Sequence, residues 1–152
     1  MEKLDRQILS LLAVDGRMSY TDIGHATGLS TSAAQQRVRR LEQRGIIKGY
    51  RAILNEELLH RDLIAFISIR AINGEEDEAT PNLLASFPEI ISCYATAGSS
   101  SYLVKAQVAS TSELNELLTR LRTSARLITE TQVVLMTHFR DRPLVEVGPD
   151  AA

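Results

Sequence analysis

The sequence has a single cysteine, Cys93, so no internal disulfide can hold the fold together, and a reducing compartment is the expected setting. No uninterrupted apolar run approaches the roughly 18 residues that a membrane span requires. The first residues, Met-Glu-Lys-Leu-Asp-Arg, lead into an amphipathic pattern rather than a secretion signal. These absences predict a soluble cytoplasmic protein with no membrane partner. The histidines, His25, His60 and His138, are scattered, and none has a cysteine or second histidine at ligand spacing, which argues against a metal site. No phosphate-binding P-loop or dinucleotide fingerprint is present, and Gly98-Ser99-Ser100-Ser101 lacks the closing glycine of a nucleophile elbow. Cys93 has alternating apolar neighbours and reads as an inert buried thiol. The expectation is a protein that is not an enzyme and carries no cofactor or metal.

What is there is a globular composition: 152 residues, 44% hydrophobic and 24% charged, enough for one domain or two small ones. The net charge of -2 conceals an asymmetry. Through Asn55 there are nine Lys and Arg against five Asp and Glu, a net of +4, and the remainder has eight against fourteen, a net of -6. Six basic residues and one acid, Glu42, fall between Arg37 and Arg51. A basic front on an acidic back points to an anionic partner for the front alone.

The periodicity of that front predicts helices. Leu4, Ile8, Leu11 and Leu12 mark an amphipathic helix that Asp15-Gly16 ends. Ser19 with Asp22 reads as an acid variant of the capping box, Ile23 and Ala26 as the apolar side of a short helix, and Gly28 as its terminator. Ser30 or Thr31 then caps a third helix, on which Ala34, Val38 and Leu41 form one narrow stripe. Ser32, Gln36 and Arg39 point away from that stripe, flanked by Gln35 and Arg40. Hydroxyl, amide and guanidinium groups without a carboxylate suit base edges and phosphates, although an ordinary solvated face has a similar pattern. A short helix, a glycine turn and a longer basic helix make a helix-turn-helix, whose second helix enters the major groove. Two short apolar runs, Ile46-Ile47 and Ala52-Ile53-Leu54, bracket Lys48-Gly49-Tyr50-Arg51, the pattern of a wing along the phosphate backbone or of a plain linker. The candidate DNA-contacting set is Ser30, Thr31, Ser32, Gln35, Gln36, Arg37, Arg39, Arg40, Lys48 and Arg51.

Asn55 to Asp62 reads as a hinge. Beyond it, Leu63–Ile72 is a strand candidate apolar on much of both faces, so helices cover one side and a partner subunit the other. Asn73 to Glu78 reads as a solvated acidic turn. Thr80 caps a short helix with Pro81 at its first position and Leu83, Leu84 and Phe87 inward. Ile90–Ala97 and Tyr102–Val108 are strands joined by Gly98–Ser101. Ser110 with Glu113 caps a helix striped by Leu114, Leu117, Leu118 and Leu121, and Ile128–Phe139 closes as a strand. The order βαββαβ is the ferredoxin-like plan. The fold class is therefore α+β: a winged helix-turn-helix domain over 1–54, a hinge over 55–62, a ferredoxin-like domain over 63–142 and a flexible tail over 143–152. Successive amides around Gly98, with the hydroxyls of Ser99, Ser100 and Ser101, are able to cradle a carboxylate, and equally fit a polar β-turn.

The chain resembles the Lrp/AsnC (feast/famine) family of transcription regulators. The matching residues are Leu4 to Leu9, Asp15-Gly16-Arg17, Gly28-Leu29-Ser30, Arg37 to Glu42 and Gly45 to Tyr50, in the family's order and spacing. The likeness continues over roughly residues 2–140. It implies double-stranded DNA as partner and a second domain that dimerises through its sheet, assembles into tetramers or octamers, and binds a small effector, usually an amino acid. It also places Tyr102 and the run Thr131, Gln132, Val133 and Val134 beside the effector, where an ordinary strand reading fits them too. Ser99 and Ser101 stand where members often carry acidic residues. The reading is an oligomeric, sequence-specific regulator of amino-acid-related metabolism. Its rivals are an architectural DNA-binding protein without an effector, and a metabolite-binding or protein-interaction module.

Overall fold

Helices in the first third begin and end where local chemistry sets them. The computed structural model describes residues 1–72 and 79–145. Helix α1 spans Lys3–Val14, α2 spans Tyr20–Thr27 and α3 spans Thr31–Gln43. The Ser19 hydroxyl accepts from the Asp22 amide, and Gly28 closes α2 at φ 72°, a left-handed conformation that glycine adopts without a Cβ penalty. Ser30, rather than Thr31, caps α3 by accepting from the Ala33 amide. Ile8, Ile23, Ala34, Val38 and Leu41 are buried together, with Leu9, Leu12, Met18, Tyr20, Leu29 and Ile47 packed around them. Ala26 is exposed, and the buried partner of Ile23 on α2 is Gly24.

No wing hairpin forms. Among the described residues there is no strand between α3 and Leu63. The amides of Ile46 and Ile47 both donate to the Leu41 carbonyl, which turns the chain off the helix, and the residues after Ile47 run on without a ladder partner. The segment 55–62 is a hydrogen-bonded turn: Asn55 Oδ1 accepts from the Leu58 amide, its carbonyl from Leu59, and His60 has φ 52°. Arg61 donates to the Gln107 carbonyl at 3.2 Å, tying the turn to the following domain.

That domain comprises β1 (Leu63–Ala71), α4 (Thr80–Ala85), β2 (Ile90–Ala95), β3 (Tyr102–Val108), α5 (Thr111–Thr123) and β4 (Leu127–Val133). The strands form one antiparallel sheet in the order β2-β3-β1-β4. Period-two alternation sends Ala65, Ile67 and Ile69 of β1 and Val104, Ala106 and Val108 of β3 to one face. There they are buried with Leu84, Phe87, Leu114, Leu117, Leu121 and Leu127. Ser110 caps α5, and Arg120 on that helix pairs with Glu89 while lying 5.4 Å over the Phe87 ring. The opposite face carries Ile64, Phe66, Leu103, Tyr94 and Ile128, with no helix of the described residues upon it.

Several boundaries differ from the sequence pattern. Thr80 is buried inside α4 instead of capping it, and Leu83 is 41% exposed, because Thr80, Leu84 and Phe87 form the inward stripe. The last strand stops at Val133 instead of Phe139, since β1 starts at Leu63 and only the Val134 amide finds one more carbonyl, that of Ile64. Cys93 is exposed, since β2 is an edge strand; the partial burial it retains raises its pKa and keeps the thiol protonated. The acidic turn at Asn73 to Glu78 and residues 146–152 lie outside the described residues. The described residues divide into two units, with 1–53 and 139–145 in one and those between Leu54 and His138 in the other. No helix among the described residues is long and apolar enough to cross a membrane.

Candidate nucleic-acid interface and effector loop

The exposed face of α3 is built by the burial of its opposite side. Ala34, Val38 and Leu41 are at most 1% exposed, so at about 100° per residue Ser32, Gln36, Arg39 and Arg40 project outward. All four are exposed, and Gln35 is half-buried at the flank. The first turn of α3 contains no acid, leaving its amide end favourable to a phosphate. The Ser30 and Ser32 hydroxyls stand 3.2 Å apart and those of Thr31 and Thr21 3.4 Å apart, so the start of α3 is laced locally and to α2. Arg39, Arg40, Lys48 and Arg51 are exposed, with no ion pair among the described residues.

Arg37 departs from the candidate set. Its Nη1 lies 2.8 Å from both Glu2 Oε2 and Asp5 Oδ1. Asp5 is 6% exposed on the inner side of α1, and a buried carboxylate requires a cationic partner. The bonds to Glu2, then to Asp5, raise the Arg37 pKa further. The guanidinium clamps α3 to α1 and is not a free phosphate ligand. The signal was present in the sequence: Asp5, Ile8 and Leu12 share one helical stripe, so an acid sits on a core-facing position. Two other contributors lacked such a signal. Gly24 lets α2 approach the turn before α3, and Tyr50 donates to Glu42 Oε1 at 3.0 Å.

In the second unit, Gly98 to Ser101 close the β2–β3 hairpin. Thr96 binds this loop twice: its amide donates to the Ser101 carbonyl and its hydroxyl to that of Ser100, while the Ser101 amide donates to Ile69. Gly98 at φ 144° and Ser99 are exposed. Tyr102 is opposite Ile69 and packs partly buried against the core. The other candidates do not share one side. Thr131 and Val133 pair with Ile67 and Ala65 on the helix-covered face, whereas Gln132 pairs with Phe66 and, with Val134, points to the other. Only Thr131 and Val133 therefore lie on the same face as Tyr102. The histidines are all exposed, and no group of three or more His, Cys, Asp or Glu among the described residues is arranged to hold a metal.

Comparison with known proteins matches two parts of the chain. Residues 1–42 match the AsnC-type helix-turn-helix domain, and residues 64–144 match the Lrp/AsnC ligand binding domain. The transcriptional regulator LrpA of Mycobacterium tuberculosis is 39% identical over 142 residues, 93% of this chain and 95% of the relative. The leucine-responsive regulatory protein of Escherichia coli K12 is 36% identical over 139 residues, 89% of this chain and 85% of that protein. Among solved structures, a feast or famine regulatory protein from M. tuberculosis complexed with L-methionine has a TM-score of 0.88 at 38% identity, covering 95% of this chain and 99% of the other. These relatives are transcriptional regulators and not enzymes. A basic helix-turn-helix ahead of a βαββαβ ligand-binding domain, matched over nearly its whole length, places the chain in the Lrp/AsnC family of transcriptional regulators.

Proposed function

We propose that this chain is a cytoplasmic, sequence-specific regulator of amino-acid-related metabolism, whose grip on double-stranded DNA changes with assembly and with a small effector, an amino acid. The carrying observation is the α3 face: Ser32, Gln36, Arg39 and Arg40 exposed together, with Lys48 and Arg51 free beyond the helix. Ser32, Gln35, Gln36 and Arg39 read bases, Arg40, Lys48 and Arg51 hold phosphates, and Ser30 and Thr31 present the helix end. The helix-free sheet face, with Ile64, Phe66, Leu103, Tyr94 and Ile128, supports a homodimer that pairs two reading helices on a two-fold operator, and tetramers or octamers built from it. The methionine complex of the M. tuberculosis neighbour and the name of the leucine-responsive relative support an amino-acid effector. Gly98, Ser99, Ser100 and Ser101, with Tyr102, Thr131 and Val133, are its proposed seat.

The double variant Gln36→Ala with Arg39→Ala tests the DNA reading. A bidentate base contact contributes about 1–3 kcal/mol, so affinity for DNA from the gene's own upstream region falls ~100-fold or more, while non-specific binding changes much less. Unaltered retention at physiological salt overturns the assignment of α3. The effector reading has its own test. At Gly98, φ 144° disfavours any side chain although nothing lies within 4 Å of an added Cβ. Gly98→Asp therefore combines backbone strain with a new carboxylate in the proposed cradle. It is expected to abolish the amino-acid-dependent change in particle mass seen by light scattering, and an unchanged titration removes the loop from the site.

A further inference from the structure

After Ile47, which packs on the helical core, the chain carrying Lys48 and Arg51 has no ladder to hold it. Lys48, Gly49, Tyr50 and Arg51 are all exposed and Ile53 is 93% exposed. One fixed point interrupts this run. The Tyr50 hydroxyl donates to Glu42 Oε1 on the last turn of α3 at 3.0 Å, and its ring edge lies where an added Cβ on Gly16 would meet Cδ1 at 3.4 Å. Tyr50 thus bridges the end of α3 and the turn between α1 and α2. Lys48 and Gly49 are strung between two anchors, Ile47 and Tyr50, and Arg51 follows the second directly.

We infer that Tyr50 is a positioning residue for DNA binding: bonded to Glu42, it holds Lys48 and Arg51 on the path where they meet the phosphate backbone. The inference rests on the reading that α3 and these cations face DNA. Glu42 is the one acid between Arg37 and Arg51, and a carboxylate there opposes an anionic ligand unless it serves another purpose. Accepting the tyrosine bond is that purpose. The phenol keeps its proton throughout the physiological range, because burial and then the Glu42 bond push its pKa up to about 12. The anchor therefore does not titrate under conditions where DNA is bound. Fixing the backbone that carries two long cationic side chains before binding removes ordering cost that the complex would otherwise bear.

The test is the salt dependence of DNA binding by the full chain. Each phosphate contact contributes about 0.9 to the slope of log affinity against log salt. Tyr50→Phe keeps the ring on Gly16 and removes only the donor. It is expected to lower affinity about 3–10-fold per helical unit and to reduce the slope by about 1–2 per unit, with thermal stability nearly unchanged. Glu42→Gln, whose amide oxygen still accepts, retains the full slope, whereas Glu42→Ala loses it as Tyr50→Phe does. A wild-type slope in Tyr50→Phe, in a protein whose binding is still abolished by the Gln36 and Arg39 double variant, overturns the inference alone. Binding insensitive to that double variant overturns the underlying DNA reading. Equal slopes in Glu42→Gln and Glu42→Ala overturn the role of the hydrogen bond.

Discussion

Gly24→Ala is expected to destabilise the helical unit by about 1–3 kcal/mol and to remove specific DNA retention with it. The direction is diagnostic, because alanine inside a helix is ordinarily favoured over glycine by about 1 kcal/mol. Here the ordinary preference is reversed by a backbone approach. A Cβ at position 24 would lie 2.6 Å from the Leu29 carbonyl oxygen and 3.5 Å from Ser30 C and Thr31 N. None of these atoms belongs to a flexible side chain. The Leu29 amide also donates to the Gly24 carbonyl at 2.9 Å, so the contact is held from both sides. Relief requires either α2 to move or the first turn of α3 to lift, and the second displaces Ser32 and Gln36 relative to the core stripe beneath them. Thermal denaturation and DNA retention of the full-length variant check this. A variant as stable as the parent, or more stable, would show that α2 is not in close backbone contact with the turn that leads into α3.

The sequence disclosed α3 so fully because its signals are local. Ala34, Val38 and Leu41 are spaced for burial, and Ser30 supplies a cap with no help from elsewhere. The same holds for α5, with Ser110 before it and Leu114, Leu117 and Leu121 within it. What escaped reading depends on residues distant in the chain. Arg37 reads as one more cation on a basic helix until Asp5, 32 positions away, is found beside it. Propensity alone extends the last strand to Phe139, but a strand lasts only as long as its neighbour, and past the Val134 contact with Ile64 the strand β1 has only Leu63 left. Cys93 sits among apolar residues that would bury it in a central strand; the order β2-β3-β1-β4 puts it at an edge. The effector set shows the same limit. Thr131 to Val133 are consecutive on β4 and Val134 follows directly, and consecutive residues of extended chain cannot all face one ligand.

Leu117→Ala should be the most damaging single truncation in the second unit. Leu117 is fully buried in the middle of α5, within the cluster that joins the helix to Ile67 of the inner strand β1 and Val104 of β3. Removing its branched end takes away apolar contact and leaves a cavity that close-packed neighbours fill only in part, a loss of about 2–5 kcal/mol. Against a whole-domain stability of roughly 5–15 kcal/mol, that is enough to loosen the sheet. The consequence is functional as well, because this sheet carries both the helix-free face proposed for dimerisation and the loop at Gly98. Equilibrium unfolding in urea with an unchanged slope would isolate the stability term. Leu83→Ala is the matched comparison: the same atoms are deleted from the same unit at a side chain 41% exposed, where a loss within ~0.5 kcal/mol is expected for a surface position. A similar loss from both variants would mean that α5 does not seal the core, and that the apolar face of the sheet is held by something other than its helices.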